Sequence, residues 1–282
     1  MYEATLVAND SPVDKYLDGT SALTTQQQEG LEVFRGKGRC INCHSGAETT
    51  NASVRNVRDE RLERMVMGDN EQAVYDNGFY NIGVRPTFED LGVGDDDPFG
   101  NPLSETRVAQ MGRFQRLLGE SPNIAVGSNE RVAADGAFKT PGLRNVELTA
   151  PYFHNGGQLT LMQVVEFYNR GGDRRGPNGD DTNGFPPNAS NLDPDILSLG
   201  LTSSEKTALV AFLRALTDER VRFRRAPFDH PQLFLTNGHP GNHVSATNDG
   251  TGKAVDTVVE IPAVGRSGAA SPLKTFPQNP AP

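Results

Sequence analysis

Apolar side chains recur at helical spacing in three parts of the chain. Leu31 and Phe34 share one face of a segment that Thr24 or Thr25 can cap, and Gly36-Lys37-Gly38 punctuates its end. Leu161, Val164, Val165 and Tyr168 fall at i, i+3, i+4 and i+7 behind Thr160, whose spacing to Gln163 is that of a capping box, and Gly171-Gly172 stops the run. Leu209, Phe212, Leu213 and Leu216 follow a second capping box, Thr202-Ser203-Ser204-Glu205. Residues 106–118 also look helical. Within the polar stretch 51–76, Leu62, Met65 and Val66 suggest an amphipathic turn. Loops are expected at 90–102, which is acidic and rich in Gly and Pro, and at 173–194. Residues 1–23 lack periodicity and read as a linker or arm. After Arg225 turn signals dominate, so 221–282 is expected to be an irregular extension with short strands. The pattern as a whole predicts a mostly α domain over 24–220, with long loops and no internal repeat.

Composition sharpens this picture. Hydrophobic residues make up 35% of the 282 positions, with 30 Gly and 19 Pro, as suits a small core carrying long loops. A net charge of −9 without an offsetting basic patch argues against a nucleic-acid partner. No apolar run approaches the roughly 18–20 residues that cross a bilayer. The opening Met1-Tyr2-Glu3-Ala4-Thr5-Leu6-Val7 has neither the charged region nor the apolar core of a signal peptide. With only two cysteines, three apart, no disulfide framework supports the fold.

Those cysteines carry the chemistry. Cys40-Ile41-Asn42-Cys43-His44 fits Cys-x-x-Cys-His. On one helical turn the two thiols reach the two vinyl groups along one haem edge, and the adjacent imidazole swings its Nε2 onto iron. A structural zinc site would need a second ligand pair, and His154, His230, His239 and His243 lack finger spacing. A thioredoxin-type pair would need a strand leading into the motif, where a helix and a glycine loop stand instead. The motif therefore predicts a cytochrome c-like domain with one covalent haem on Cys40 and Cys43 and His44 as proximal ligand. Haem is attached outside the cytoplasm, so the chain is expected to be periplasmic or otherwise exported, and Met1 to lie inside a longer precursor or a split gene.

The segment Phe138-Lys139-Thr140-Pro141-Gly142-Leu143-Arg144-Asn145-Val146-Glu147-Leu148-Thr149-Ala150-Pro151-Tyr152-Phe153-His154-Asn155-Gly156 closely resembles the C-terminal haem domain of bacterial dihaem cytochrome c peroxidases and their relative MauG. Ser11-Pro12, Phe79-Tyr80-Asn81-Ile82-Gly83-Val84 and the closing helix extend the resemblance over roughly residues 8–220. It implies an electron-transferring haem domain of a peroxidase-like oxidoreductase, partnered by a second haem domain or another redox protein. It also implies a sixth iron ligand from the helix that holds Tyr168, a Met in the peroxidases and a Tyr in MauG. Tyr168 shares the apolar stripe of that helix, although an ordinary core tyrosine would do the same, and Met111 and Met162 are the other candidates. By the same resemblance the carbonyls of Thr149 and Pro151 bind calcium, while Arg144 is placed to meet a haem propionate. His154 reads as a structural histidine, Asp95-Asp96-Asp97 as a solvated acidic loop, and the four arginines within 220–225 as a solvated or propionate-facing surface. The family has two haems and this chain has cysteines for one; it also contains no Trp, whereas the family places one between its haems. Whether the chain catalyses a reaction is left open, and a stand-alone monohaem electron carrier is the alternative.

Overall fold

Capping fixes where the helices begin. Thr24, Thr160 and Thr202 each accept a hydrogen bond from the backbone N–H three residues on, and the Gln or Glu at that position reaches back to the cap's own N–H. The computed structural model describes residues 5–173, 191–241, 244 and 247–275. In chain order its elements are α1 (Pro12–Leu17), α2 (Thr25–Arg35), a 3₁₀ turn (Cys40–Asn42), α3 (Val54–Val57), β1 (Leu62–Val66), β2 (Gln72–Asp76), β3 (Phe79–Tyr80), α4 (Glu105–Gln110) and α5 (Phe114–Leu118). They continue with β4 (Phe138–Lys139), a 3₁₀ turn (Val146–Leu148), α6 (Leu161–Arg170), α7 (Ser203–Ala215), α8 (Glu219–Arg222), β5 (Leu233–Thr236) and β6 (Val258–Ile261).

The expected mostly α domain is instead mixed and only modestly helical, with three two-stranded antiparallel ladders among the described residues. Leu62, Met65 and Val66 do not form a helical turn. They lie on β1, which pairs with β2 in a register that sets Leu62 opposite Asp76 and Glu63 opposite Tyr75. Residues 106–118 form two helices rather than one, because Gly112 takes φ +67° between α4 and α5. The presumed arm at 1–23 holds α1, capped by Ser11, with Val13 and Leu23 buried in the main core. The loop expected at 173–194 falls largely outside the described residues. After Arg225 the described chain is mostly turns with the single β5–β6 hairpin.

The main core is where α2 crosses α7 and α6 leans on α7. Leu31, Phe34, Leu161, Val165, Leu209, Phe212 and Leu213 interlock there, and the rings of Phe34 and Phe212 lie 5.1 Å apart. At the crossing Gly30 lets the backbones touch: a Cβ there would sit 2.0 Å from the Ala208 carbonyl oxygen. The β1–β2 hairpin separates two smaller clusters. Leu62 and Val74 pack on Val108 and Phe114, while Ala73 and Tyr75 join Met67, Tyr80 and Ala133. No helix among the described residues is long and apolar enough to cross a membrane.

Candidate functional site

The Cys-x-x-Cys-His segment lies between two of these clusters. The chain leaves α2 through Gly36-Lys37-Gly38, turns at Arg39 (φ 55°) and enters the 3₁₀ turn at Cys40. The carbonyl of Cys40 accepts the N–H groups of Cys43 (3.3 Å) and His44 (2.9 Å), which gathers both thiols and the imidazole on one turn. Cys40 and Ile41 pack on the main core, and Cys43 packs on the Met67, Tyr75 and Tyr80 cluster. From outside, Asp195 holds the turn by accepting from Arg39 (3.0 Å) and Asn42 (2.7 Å).

Both cysteines are free. Burial pushes the Cys40 thiol up to about 12; it pushes Cys43 up as well, helped by the charges of Asp193 and Asp195. Such thiols are poor redox nucleophiles, which need thiolate. A thioether is neutral and incurs no such charge burial. Among the described residues, no group of three His, Cys, Asp or Glu is placed to hold a metal ion.

His44 Nδ1 lies 3.0 Å from the Thr49 carbonyl oxygen. A carbonyl only accepts, so a proton on Nδ1 serves this contact in the neutral ring. Burial also lowers the His44 pKa, outweighing the carbonyls of Thr49 and Pro141, and so favours the neutral imidazole a metal requires.

Tyr168 stands near the end of α6, its ring perpendicular to Phe167 at 5.2 Å and close to Phe153 at 6.3 Å. Burial raises its phenol pKa, and the nearby groups Cys43, Cys40 and Asp193 raise it further. Among the described residues that hydroxyl makes no hydrogen bond. Met162 packs on the main core, and Met111 ends α4 with 54% of its surface exposed. Met67, which sequence reading did not single out, is 3% exposed in the cluster that holds Cys43. No local signal marks it, because the β1–β2 turn alone brings it there.

The remaining candidates are more dispersed. Arg144 binds both carboxylate oxygens of Asp14 (2.8 and 2.9 Å) and the carbonyls of Ala8 (2.9 Å) and Ala47 (2.7 Å). Those contacts engage four of its five N–H groups. Thr149 and Pro151 are exposed, and their carbonyls accept no hydrogen bond among the described residues. His154 stacks on Phe138 at 3.6 Å and meets Asp90 at 2.8 Å. Asp97 accepts from the N–H groups of Phe99 and Asn101 within its own turn. Arg220 and Arg222 pair with Asp218 and Glu147.

No family model matches the chain. A cytochrome c peroxidase, IdrP2 of Denitromonas iodatirespirans, is 32% identical over 219 residues, covering 77% of this chain and 47% of that protein. The methylamine utilization protein MauG of Methylorubrum extorquens is 25% identical over the same number of residues, covering 42% of its own length. Among solved structures, a MauG-like protein associated with microbial copper homeostasis superposes on 78% of the chain with a TM-score of 0.48 and 26% identity. The chain is homologous to the dihaem cytochrome c peroxidase and MauG family over about 77% of its length. It spans about half the length of the curated relatives it matches. That family binds c-type haem, and Cys40 and Cys43 are consistent with its attachment motif.

Proposed function

We propose that this chain is a c-type cytochrome domain that carries one covalent haem and moves electrons within a dihaem peroxidase or MauG-like oxidoreductase. The observation that carries the reading is His44: its Nδ1 meets the Thr49 carbonyl at 3.0 Å, and the ring stands on the same turn as two half-buried, protonated thiols. Cys40 and Cys43 would hold the haem edge as thioethers, with apolar clusters against them on both sides. His44 would be the proximal iron ligand and Tyr168 the distal one. The bound haem would supply a one-electron iron couple. The residues supply its orientation, the exclusion of water and the fixed imidazole tautomer. Arg144 would offer its remaining N–H to a propionate. Thr149 and Pro151 would offer carbonyls to calcium if a partner domain completes the site. A chain matured this way is exported, and its partner is a second haem domain or a redox protein.

Peroxidase turnover by this chain alone is expected to be weak, because by the resemblance the groups that cleave peroxide belong to the other half of the family's proteins. Steady-state assays with hydrogen peroxide and a reduced cytochrome test this. A kcat/KM above about 10⁴ M⁻¹s⁻¹, the low end of ordinary enzymes, would show that this half suffices and contradict the electron-transfer reading.

A further inference from the structure

Tyr75, Tyr80 and Glu63 have no part in the site described above, yet they run from it to the surface. Cys43 packs on the cluster that contains Tyr80 and Tyr75. Asn51 ties Tyr80 to the haem motif, its Nδ2 donating to the Asn42 carbonyl at 2.6 Å and to Tyr80 Oη at 3.3 Å. The Tyr80 ring lies 5.7 Å from that of Tyr75, tilted by 41°. The two residues are 7% and 5% exposed. Tyr75 stands opposite Glu63 across the β1–β2 hairpin, and its hydroxyl donates to Glu63 Oε2. Glu63 in turn lines an open surface cleft with Glu60, Arg64 and Asn123.

The two phenols differ in one chemical respect. Burial raises both pKa values, that of Tyr80 to about 12, so each keeps its proton near neutral pH. A neutral phenol gives up an electron readily only when its proton has somewhere to go. Tyr80 receives a hydrogen bond and has no acceptor of its own among the described residues, whereas Tyr75 already points its proton at a carboxylate. The rings are in contact, so an electron passes between them easily.

We propose that Tyr80 and Tyr75 form a redox relay from the haem crevice to the Glu63 cleft, with Tyr75 holding the oxidising equivalent and Glu63 taking its proton. In this step one electron leaves Tyr75 and passes through Tyr80 to a haem that a peroxide or peracid has raised above the ferric state, and the haem is reduced by one equivalent. The Tyr75 O–H bond breaks and an O–H bond forms on Glu63, leaving a neutral tyrosyl radical beside a carboxylic acid. A small one-electron reductant at the cleft, such as ascorbate, returns the electron while Glu63 returns the proton. The relay lets this half exchange electrons with small reductants at a surface away from the iron ligands. It rests on the covalent-haem reading above.

The test is freeze-quench electron paramagnetic resonance on Tyr168→Phe holoprotein, whose open coordination position admits a peracid, treated with stoichiometric peracetic acid, with ring-deuterated tyrosine as the label. The expected result is a tyrosyl signal that narrows on deuteration, decays faster with added ascorbate and is lost in Tyr75→Phe. Glu63→Gln removes the proton acceptor with little change of shape. It should slow radical formation by at least about tenfold, a modest loss for a positioned proton acceptor. Should Tyr75→Phe fail to fold, Glu63→Gln carries the test. An unchanged signal in either variant overturns the relay, as does oxidation of the haem with no protein radical. A haem that peracetic acid does not oxidise overturns it too, since the relay would then have no oxidant. Intact mass separates that outcome from a chain that carries no haem at all.

Discussion

Gly30→Ala should prevent this protein from reaching its native fold. Taken alone, alanine within a helix is favoured over glycine by roughly 0.5–1 kcal/mol. The packing opposes this far more strongly. The new Cβ would lie 2.0 Å from the Ala208 carbonyl oxygen and 2.7 Å from Phe212 Cβ. The first of these is backbone on the facing helix and cannot rotate away. Relief requires α2 and α7 to separate, which loosens the Phe34–Phe212 contact and the apolar positions around it. Overpacking commonly costs about 1–3 kcal/mol, and a clash with backbone should exceed that range. Against a total stability of about 5–15 kcal/mol, the variant should give little soluble holoprotein and a much lower thermal midpoint. Glu29→Ala, at the exposed neighbouring position, should stay within about 0.5 kcal/mol of the parent. Equal stability for Gly30→Ala would mean that the two helices do not cross this closely.

Tyr168→Met should raise the reduction potential of the bound haem, and Tyr168→Phe should open a coordination position. Anionic oxygen favours ferric iron, whereas thioether sulfur favours ferrous iron. The phenol makes no hydrogen bond among the described residues, so its replacement breaks no polar contact there. Phe167 and Phe153 border the ring on its other sides and should keep a phenylalanine in the same place. The Phe variant should therefore fold, bind small exogenous ligands more readily than the parent and change its ferric optical spectrum. Unchanged spectra and potential in both variants would make Tyr168 a core residue, and Met67 would then be the ligand to test.

What the sequence made legible is local. Thr24, Thr160 and Thr202 announce α2, α6 and α7 because a capping box acts within four residues, and the apolar stripes behind them point at a shared core. The haem motif is legible for the same reason. Misreadings occur where tertiary pairing decides the structure. Leu62, Met65 and Val66 have helical spacing, yet the ladder with β2 sets their conformation. The α1 helix is a single capped run, too short to leave periodicity, although Pro12 after Ser11 with Asp14 at the third position was a usable sign. The main partner of Arg144 is not visible locally, because Asp14, which takes two of its N–H groups, lies 130 positions away. The tyrosine pair was invisible because only the hairpin register sets Tyr75 against Glu63 and only packing brings Tyr80 to Cys43.

The central claim, covalent haem held by Cys40 and Cys43 and ligated by His44, is tested most directly by the intact mass of the denatured protein after maturation by a cytochrome c assembly system. The account predicts a mass above that of the bare chain by one haem, retained through denaturation and organic extraction. It predicts loss of that increment when Cys40→Ala and Cys43→Ala are combined. A protein matured under the same conditions that shows the mass of the bare chain would contradict it.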